Sequence, residues 1–139
     1  MTEAMHEDRR ITAAINLEGY LDYAPQPTGR PGPLLPVARH GTRRPLLLLG
    51  TEGFPHQREL SRSWSAMLTH GHTRHARIDD TAHWVFTDYA AFAPQLQTAG
   101  LMTAAARTEL IGALAPDRAI PLVRDRLRTF FARGLPKDR

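Results

Sequence analysis

Apolar residues along this chain fall into runs of two kinds. Ile11-Thr12-Ala13-Ala14-Ile15-Asn16-Leu17 and Pro45-Leu46-Leu47-Leu48-Leu49-Gly50 are short and nearly unbroken, and Gly19 and Gly50 close them. Runs of this length suit strands covered on both faces, as in a parallel sheet. Arg74 to Ile78 is a weaker third run. The other kind recurs at helical spacing. Leu60, Trp64, Met67 and Leu68 mark a helix over 59–68, and Tyr89, Phe92 and Leu96 mark another, with Thr87 as its candidate N-cap. Ile120, Val123, Leu127, Phe130 and Phe131 mark a last helix from Pro116-Asp117 to Gly134, opening on the proline and acid that suit a first turn. Thr2 to Glu7 reads as the tail of a helix.

Strand and helix alternate with short connections, which predicts an α/β fold with about three parallel strands and flanking helices. Three strands make half of a doubly wound sheet, so its edges and faces call for a partner or for more chain. The exception to short connections is 24–36. It holds Pro25, Pro27, Pro31, Pro33 and Pro36 with Gly29 and Gly32, an irregular segment that reads as a lid or a plain connection. The aromatics Trp64, Trp84, Phe92, Phe130 and Phe131 are expected in the core or in a pocket wall.

At 139 residues the chain is expected to be a single, partial domain over 1–139. It has no cysteine, which excludes disulfides, thiolate zinc sites and a cysteine nucleophile. The net charge is +4, but the basic residues are arginines apart from Lys137 and are scattered among fourteen carboxylates without aromatic platforms. No nucleic-acid partner is expected from that pattern. No apolar run approaches the ~20 residues of a membrane span. The opening residues lack the apolar stretch of a signal peptide, so the chain as written reads as cytoplasmic.

In open α/β sheets ligands bind beyond the carboxyl ends of the strands. Three polar residues fall there: Glu18 after the first run, Glu52 after the second and His83 after the third. A histidine works as a general base when a carboxylate fixes its tautomer and steadies the imidazolium. Either glutamate precedes the histidine, as acid precedes histidine in the α/β-hydrolase order, and Asp22 is a further candidate acid.

Asn16-Leu17-Glu18-Gly19, Arg44-Pro45-Leu46-Leu47-Leu48-Leu49-Gly50-Thr51-Glu52-Gly53 and Ala82-His83-Trp84-Val85-Phe86-Thr87-Asp88 together resemble the C-terminal half of bacterial α/β-hydrolases. The nearest group is the lipase-like set similar to platelet-activating-factor acetylhydrolase, and the likeness runs over nearly the whole chain. It implies a carboxylic-ester hydrolase with His83 as general base, Glu18 as triad acid where the family usually has Asp, and Trp84 lining a substrate pocket. An ester or lipid-like small molecule would be the substrate, with no cofactor. The family's nucleophile elbow, G-x-S-x-G, does not occur in this sequence. Ser61, Ser63 and Ser65 lie within one predicted helix and not on a strand-to-helix elbow. The resemblance therefore implies a nucleophile and oxyanion loop upstream of Met1, and a chain inactive alone. The competing expectation is a non-catalytic half-domain that assembles with a complementing half or as a homodimer.

His70, His72 and His75 are spaced like metal ligands, but no neighbouring acid or cysteine completes a tetrahedral set, and no metal is expected there.

Overall fold

Strand β1 (Ala14–Leu17) runs parallel to β2 (Leu46–Thr51), with Ala14 opposite Leu46 and Leu17 opposite Leu49. Strand β3 (Thr73–Ile78) completes a three-stranded parallel sheet in the order β1-β2-β3. The chain is thus of the α/β class expected from its pattern. The structure, a computed structural model, describes residues 2–25 and 30–135; Pro27 and Gly29 of the proline-rich segment lie outside the described residues.

Burial follows strand position. All six residues of the central β2 are buried, whereas β1 alternates and β3 buries only Ile78. The unbroken leucine run is therefore the centre of the sheet, and the more polar Arg74–Ile78 run is an edge. β1 starts later than the sequence predicts. Its first ladder bond runs from the Ala14 N–H to the Pro45 carbonyl, and Pro45 has no N–H with which to extend the ladder.

Contacts divide the chain into two compact units, Met1–Leu49 with His56–Ala76 and Gly134–Arg139, and Gly50–Pro55 with Arg77–Arg133. The first unit holds α1 (Thr2–Glu7), α2 (Pro36–His40) and α3 (Gln57–Leu68). Along α3, Leu60, Trp64 and Met67 are buried at helical spacing, while Leu68 stays exposed. The buried Ser63 Oγ accepts from the Leu21 N–H and donates to the Leu60 carbonyl, each at 3.2 Å. The Trp64 indole N–H donates to the Gly19 carbonyl at 3.1 Å. Helix α2 escapes sequence reading because it is five residues long and follows a proline cluster.

Arg44 closes α1. Its guanidinium donates to the carbonyls of Asp8 at 2.6 Å and Ile11 at 2.7 Å, and also to that of Met5. Carbonyls at a helix C-terminus lack intrahelical partners, and a cation there also suits the helix dipole. Arg44→Ala is expected to destabilise the fold by about 2–3 kcal/mol, since charge-assisted hydrogen bonds exceed neutral ones. Arg44→Lys should restore only part, because an ammonium lacks the planar fork. Urea unfolding of the three proteins checks both.

Asp8 accepts from the Arg10 side chain at 2.7 Å and from its backbone N–H at 2.9 Å. Those bonds, chiefly the side-chain one, hold the Asp8 carboxyl below its ordinary 3.8. A depressed carboxylate stabilises the fold above its unfolded pKa, and that contribution is lost as pH falls through the folded value. Carbon-detected NMR titration should find Asp8 below the usual carboxylate range, and Arg10→Ala should return it part of the way, because the backbone N–H of residue 10 still donates.

The second unit holds a 3₁₀ turn (His83–Phe86), α4 (Tyr89–Thr98), α5 (Ala104–Ile111) and α6 (Pro116–Gly134). Val85, Ala90 and Ala119 form a buried cluster with Phe86, Leu114 and Val123 around it. The last helix has the limits the sequence predicts. Helix α5 was not legible; its start is capped by Thr103, whose Oγ1 accepts from the Ala106 N–H at 3.1 Å.

Helix α4 begins at Tyr89, and Thr87, extended just before it, accepts from the Tyr89 N–H on its Oγ1 at 3.3 Å, as the N-cap reading expects, while its hydroxyl donates to the Trp84 carbonyl at 2.8 Å. Of the aromatics expected in the core or in a pocket wall, Trp64 is buried, whereas Trp84 and Phe92 are 44% and 54% exposed and so lie outside the core; along α4 the buried residues are Ala90 and Ala93. Among the described residues, no helix is long and apolar enough to cross a membrane.

Candidate functional site

Each candidate follows a strand end, and its local geometry has an identifiable cause. After β1, the Asn16 Oδ1 accepts from the Gly19 N–H at 2.6 Å, and its Nδ2 donates to the Thr2 hydroxyl at 3.1 Å. That side-chain turn bends the chain so tightly that Glu18 takes a left-handed backbone, φ 55°, and it is 3% exposed. A non-glycine residue in this region is strained by about 1–2 kcal/mol. Asn16 is thus the residue that shapes this turn. Its only signal in the sequence is a polar residue inside an otherwise apolar run.

After β2, the Glu52 backbone N–H still donates to the Ile78 carbonyl, at 3.1 Å, and the Gly53 N–H donates to the Thr81 carbonyl at 2.8 Å. The Glu52 carboxylate accepts from the Asp80 N–H at 3.0 Å. The loops after β2 and β3 are therefore fastened to each other within the second unit, by two backbone bonds and one carboxylate. Asp80 meets that carboxylate from a left-handed conformation, φ 56°.

The loop leading to His83 is fixed before the imidazole begins. The Thr81 hydroxyl donates to the Ile78 carbonyl, the Ala82 N–H to Ile111 and the Leu114 N–H to Asp80. His83 opens the 3₁₀ turn, half-buried, with its ring 5.2 Å from Phe54 and 5.2 Å from Trp84. Trp84 in turn meets Tyr89 edge-on at 5.5 Å. Phe54, on the Glu52 loop, is a wall residue that sequence reasoning missed, since one aromatic between glycine and proline carries no periodicity.

Glu52 and His83 thus share one unit on neighbouring, mutually bonded loops. Glu18 and Asp22 belong to the other unit. Asp22 is paired with Arg62 at 2.5 Å and lines a cleft of about 650 Å³ with Tyr20, Tyr23, Pro31 and Glu59. Burial and the charges of Glu59 and Asp22 push the Tyr20 phenol upward. His75 packs edge-on against Trp64 at 5.4 Å, and His70 fills the space over Gly41. Among the described residues, no three His, Asp or Glu side chains converge as metal ligands.

The arrangement can present an imidazole beside an aromatic wall, with a carboxylate on the adjoining loop. No family model, curated protein or solved structure matches this chain.

Proposed function

We propose that this chain contributes the acid and the histidine of a serine ester hydrolase, a C-terminal half of an α/β-hydrolase fold. His83 is the general base, and Glu52 is the carboxylate that orients it. What carries the reading is the fastening of the Glu52 loop to the His83 loop, beyond the ends of adjacent parallel strands. Glu18, the acid implied by the resemblance, is the rival assignment, supported by its burial and strained turn.

In this mechanism the serine comes from residues outside this sequence. His83 takes the serine proton as the oxygen attacks the ester carbonyl, then returns it to the departing alcohol. Water, deprotonated by the same imidazole, releases the acyl group. Trp84 and Phe54 flank the imidazole and would face the substrate's apolar portion. An ester or lipid-like small molecule fits such a wall, and the chemistry calls for no cofactor.

The second reading is a non-catalytic assembly module, favoured by the exposed apolar side chains of α4. A fluorophosphonate separates the two readings. The native protein should take it up on a serine, and His83→Ala should abolish uptake while circular dichroism stays unchanged. Absence of uptake by the wild-type protein leaves the assembly reading standing.

A further inference from the structure

The cleft beside Tyr20 is built from two walls of the first unit. One wall is a two-stranded ribbon: the Tyr23 N–H donates to the Pro33 carbonyl at 2.9 Å and the Leu35 N–H to the Leu21 carbonyl at 2.8 Å, with Asp22 opposite Leu34. Gly32 lets its two segments close, since a Cβ there would run into the Tyr23 and Ala24 carbonyls. The other wall is the first half of α3. Arg62 ties the walls together, its guanidinium donating to Asp22 at 2.5 Å and to the Gly32 carbonyl at 2.7 Å. The bonds from the Leu21 N–H to Ser63 and from the Trp64 indole to the Gly19 carbonyl fasten the base of the ribbon to the same helix. Hydrogen bonds of this chain therefore hold the cleft in shape, and an occupant need not form it.

We propose that this cleft binds an uncharged, flat aromatic small molecule against its two tyrosine rings. Tyr20 and Tyr23, 43% and 53% exposed, and the rings of Pro25 and Pro31 offer it apolar faces. An aromatic ring on tyrosine gains edge-to-face or offset contacts beyond the area it buries, which an acyl chain does not. Charge points the same way. Two arginines, Arg58 and Arg62, are matched by two carboxylates, Asp22 and Glu59. Burial and the charges of Glu59 and Asp22 push the Tyr20 phenol upward, so it too stays uncharged near neutral pH. The lining therefore has no net charge with which to select an ion. The volume of about 650 Å³ lies within the roughly 300–1,000 Å³ of small-molecule sites. A protein surface laid across the rim would leave that space unfilled and its lining without contacts. The lining residues belong to the first unit and His83 to the second, so this inference stands apart from the ester-hydrolase reading.

N-Phenylnaphthylamine, an uncharged aromatic whose fluorescence rises in apolar surroundings, tests this on the full chain. One probe should bind per chain, with a Kd on the order of 10 µM. Tyr23→Ala should weaken binding about 10-fold or more, while circular dichroism and Tm stay as in the parent. Ala24→Trp, which fills the cleft from its own wall, should abolish binding. Phe92→Ser, on the exposed face of α4, should leave it unchanged. No binding at protein concentrations up to about 300 µM overturns the inference. So does a probe that binds both cleft variants as it binds the parent, or one lost only with Phe92→Ser. The anionic counterpart, anilinonaphthalenesulfonate, should bind no more tightly than the uncharged probe. Binding about 10-fold tighter would make this an anion site and overturn the uncharged class. A polyproline peptide that displaces the probe at micromolar concentration would also overturn the inference, and would assign the cleft to a peptide.

Discussion

His83→Ala is expected to lower ester turnover by the native protein about 10³-fold or more, with little change in KM. General-base catalysis contributes to the transition state and not to substrate binding, so the loss falls on kcat. The fold should tolerate the change, because the loop around His83 is held by backbone bonds from Gly53, Ala82 and Leu114 and by the Thr81 hydroxyl, not by the imidazole alone. Glu52→Gln keeps the side chain's shape but removes its charge, and should cost roughly 10²-fold or more. Glu18→Gln should leave kcat within a few-fold of the parent. A reversed order of the two glutamine variants would transfer the acid's role to Glu18.

Gly112→Ala should destabilise the protein by about 3–5 kcal/mol, through strain and overlap together. Gly112 ends α5 with φ 98°, a conformation L side chains rarely adopt. A Cβ there would meet the Asp80 carbonyl oxygen at 2.4 Å and the Thr81 Cα at 2.3 Å. Those are backbone atoms of the loop that leads to His83, so no side chain can turn aside. Relief requires moving either the end of α5 or the Asp80–Thr81 turn. The same loop also receives the Glu52 carboxylate, so Gly112→Ala should impair turnover at temperatures where the variant is still folded. Thermal unfolding followed by circular dichroism, with turnover assayed well below the transition, measures the two effects separately.

Periodicity made most of the frame legible. Leu46 to Leu49 read as a buried strand from its unbroken run, though not as the central one, and α6 announced both its ends with Pro116 and Gly134. The placement of Glu18, Glu52 and His83 after strand ends was legible for the same reason, since strands can be located by their runs. Which carboxylate accompanies the histidine was not. That depends on loop-to-loop hydrogen bonds such as Asp80 N–H to Glu52, and they leave no pattern in the sequence. Side-chain chemistry was equally hidden. The bonds of Asn16 shape the turn at Glu18, and Arg44 gathers three carbonyls from residues more than thirty positions away. Which of the aromatics would be core and which exposed was not legible either, since the buried face of α4 is taken by Ala90 and Ala93, small residues that carry little periodic signal.

The central claim is that His83 belongs to a serine-hydrolase site completed by residues outside this sequence. The most direct test is the intact mass of the natively produced protein and of anything that copurifies with it, before and after a fluorophosphonate. The account predicts a probe-sized mass increase on a serine outside these 139 residues, in the same chain or in a bound partner. A native protein of 15.6 kDa that is unchanged by the probe, with no labelled companion, would contradict it.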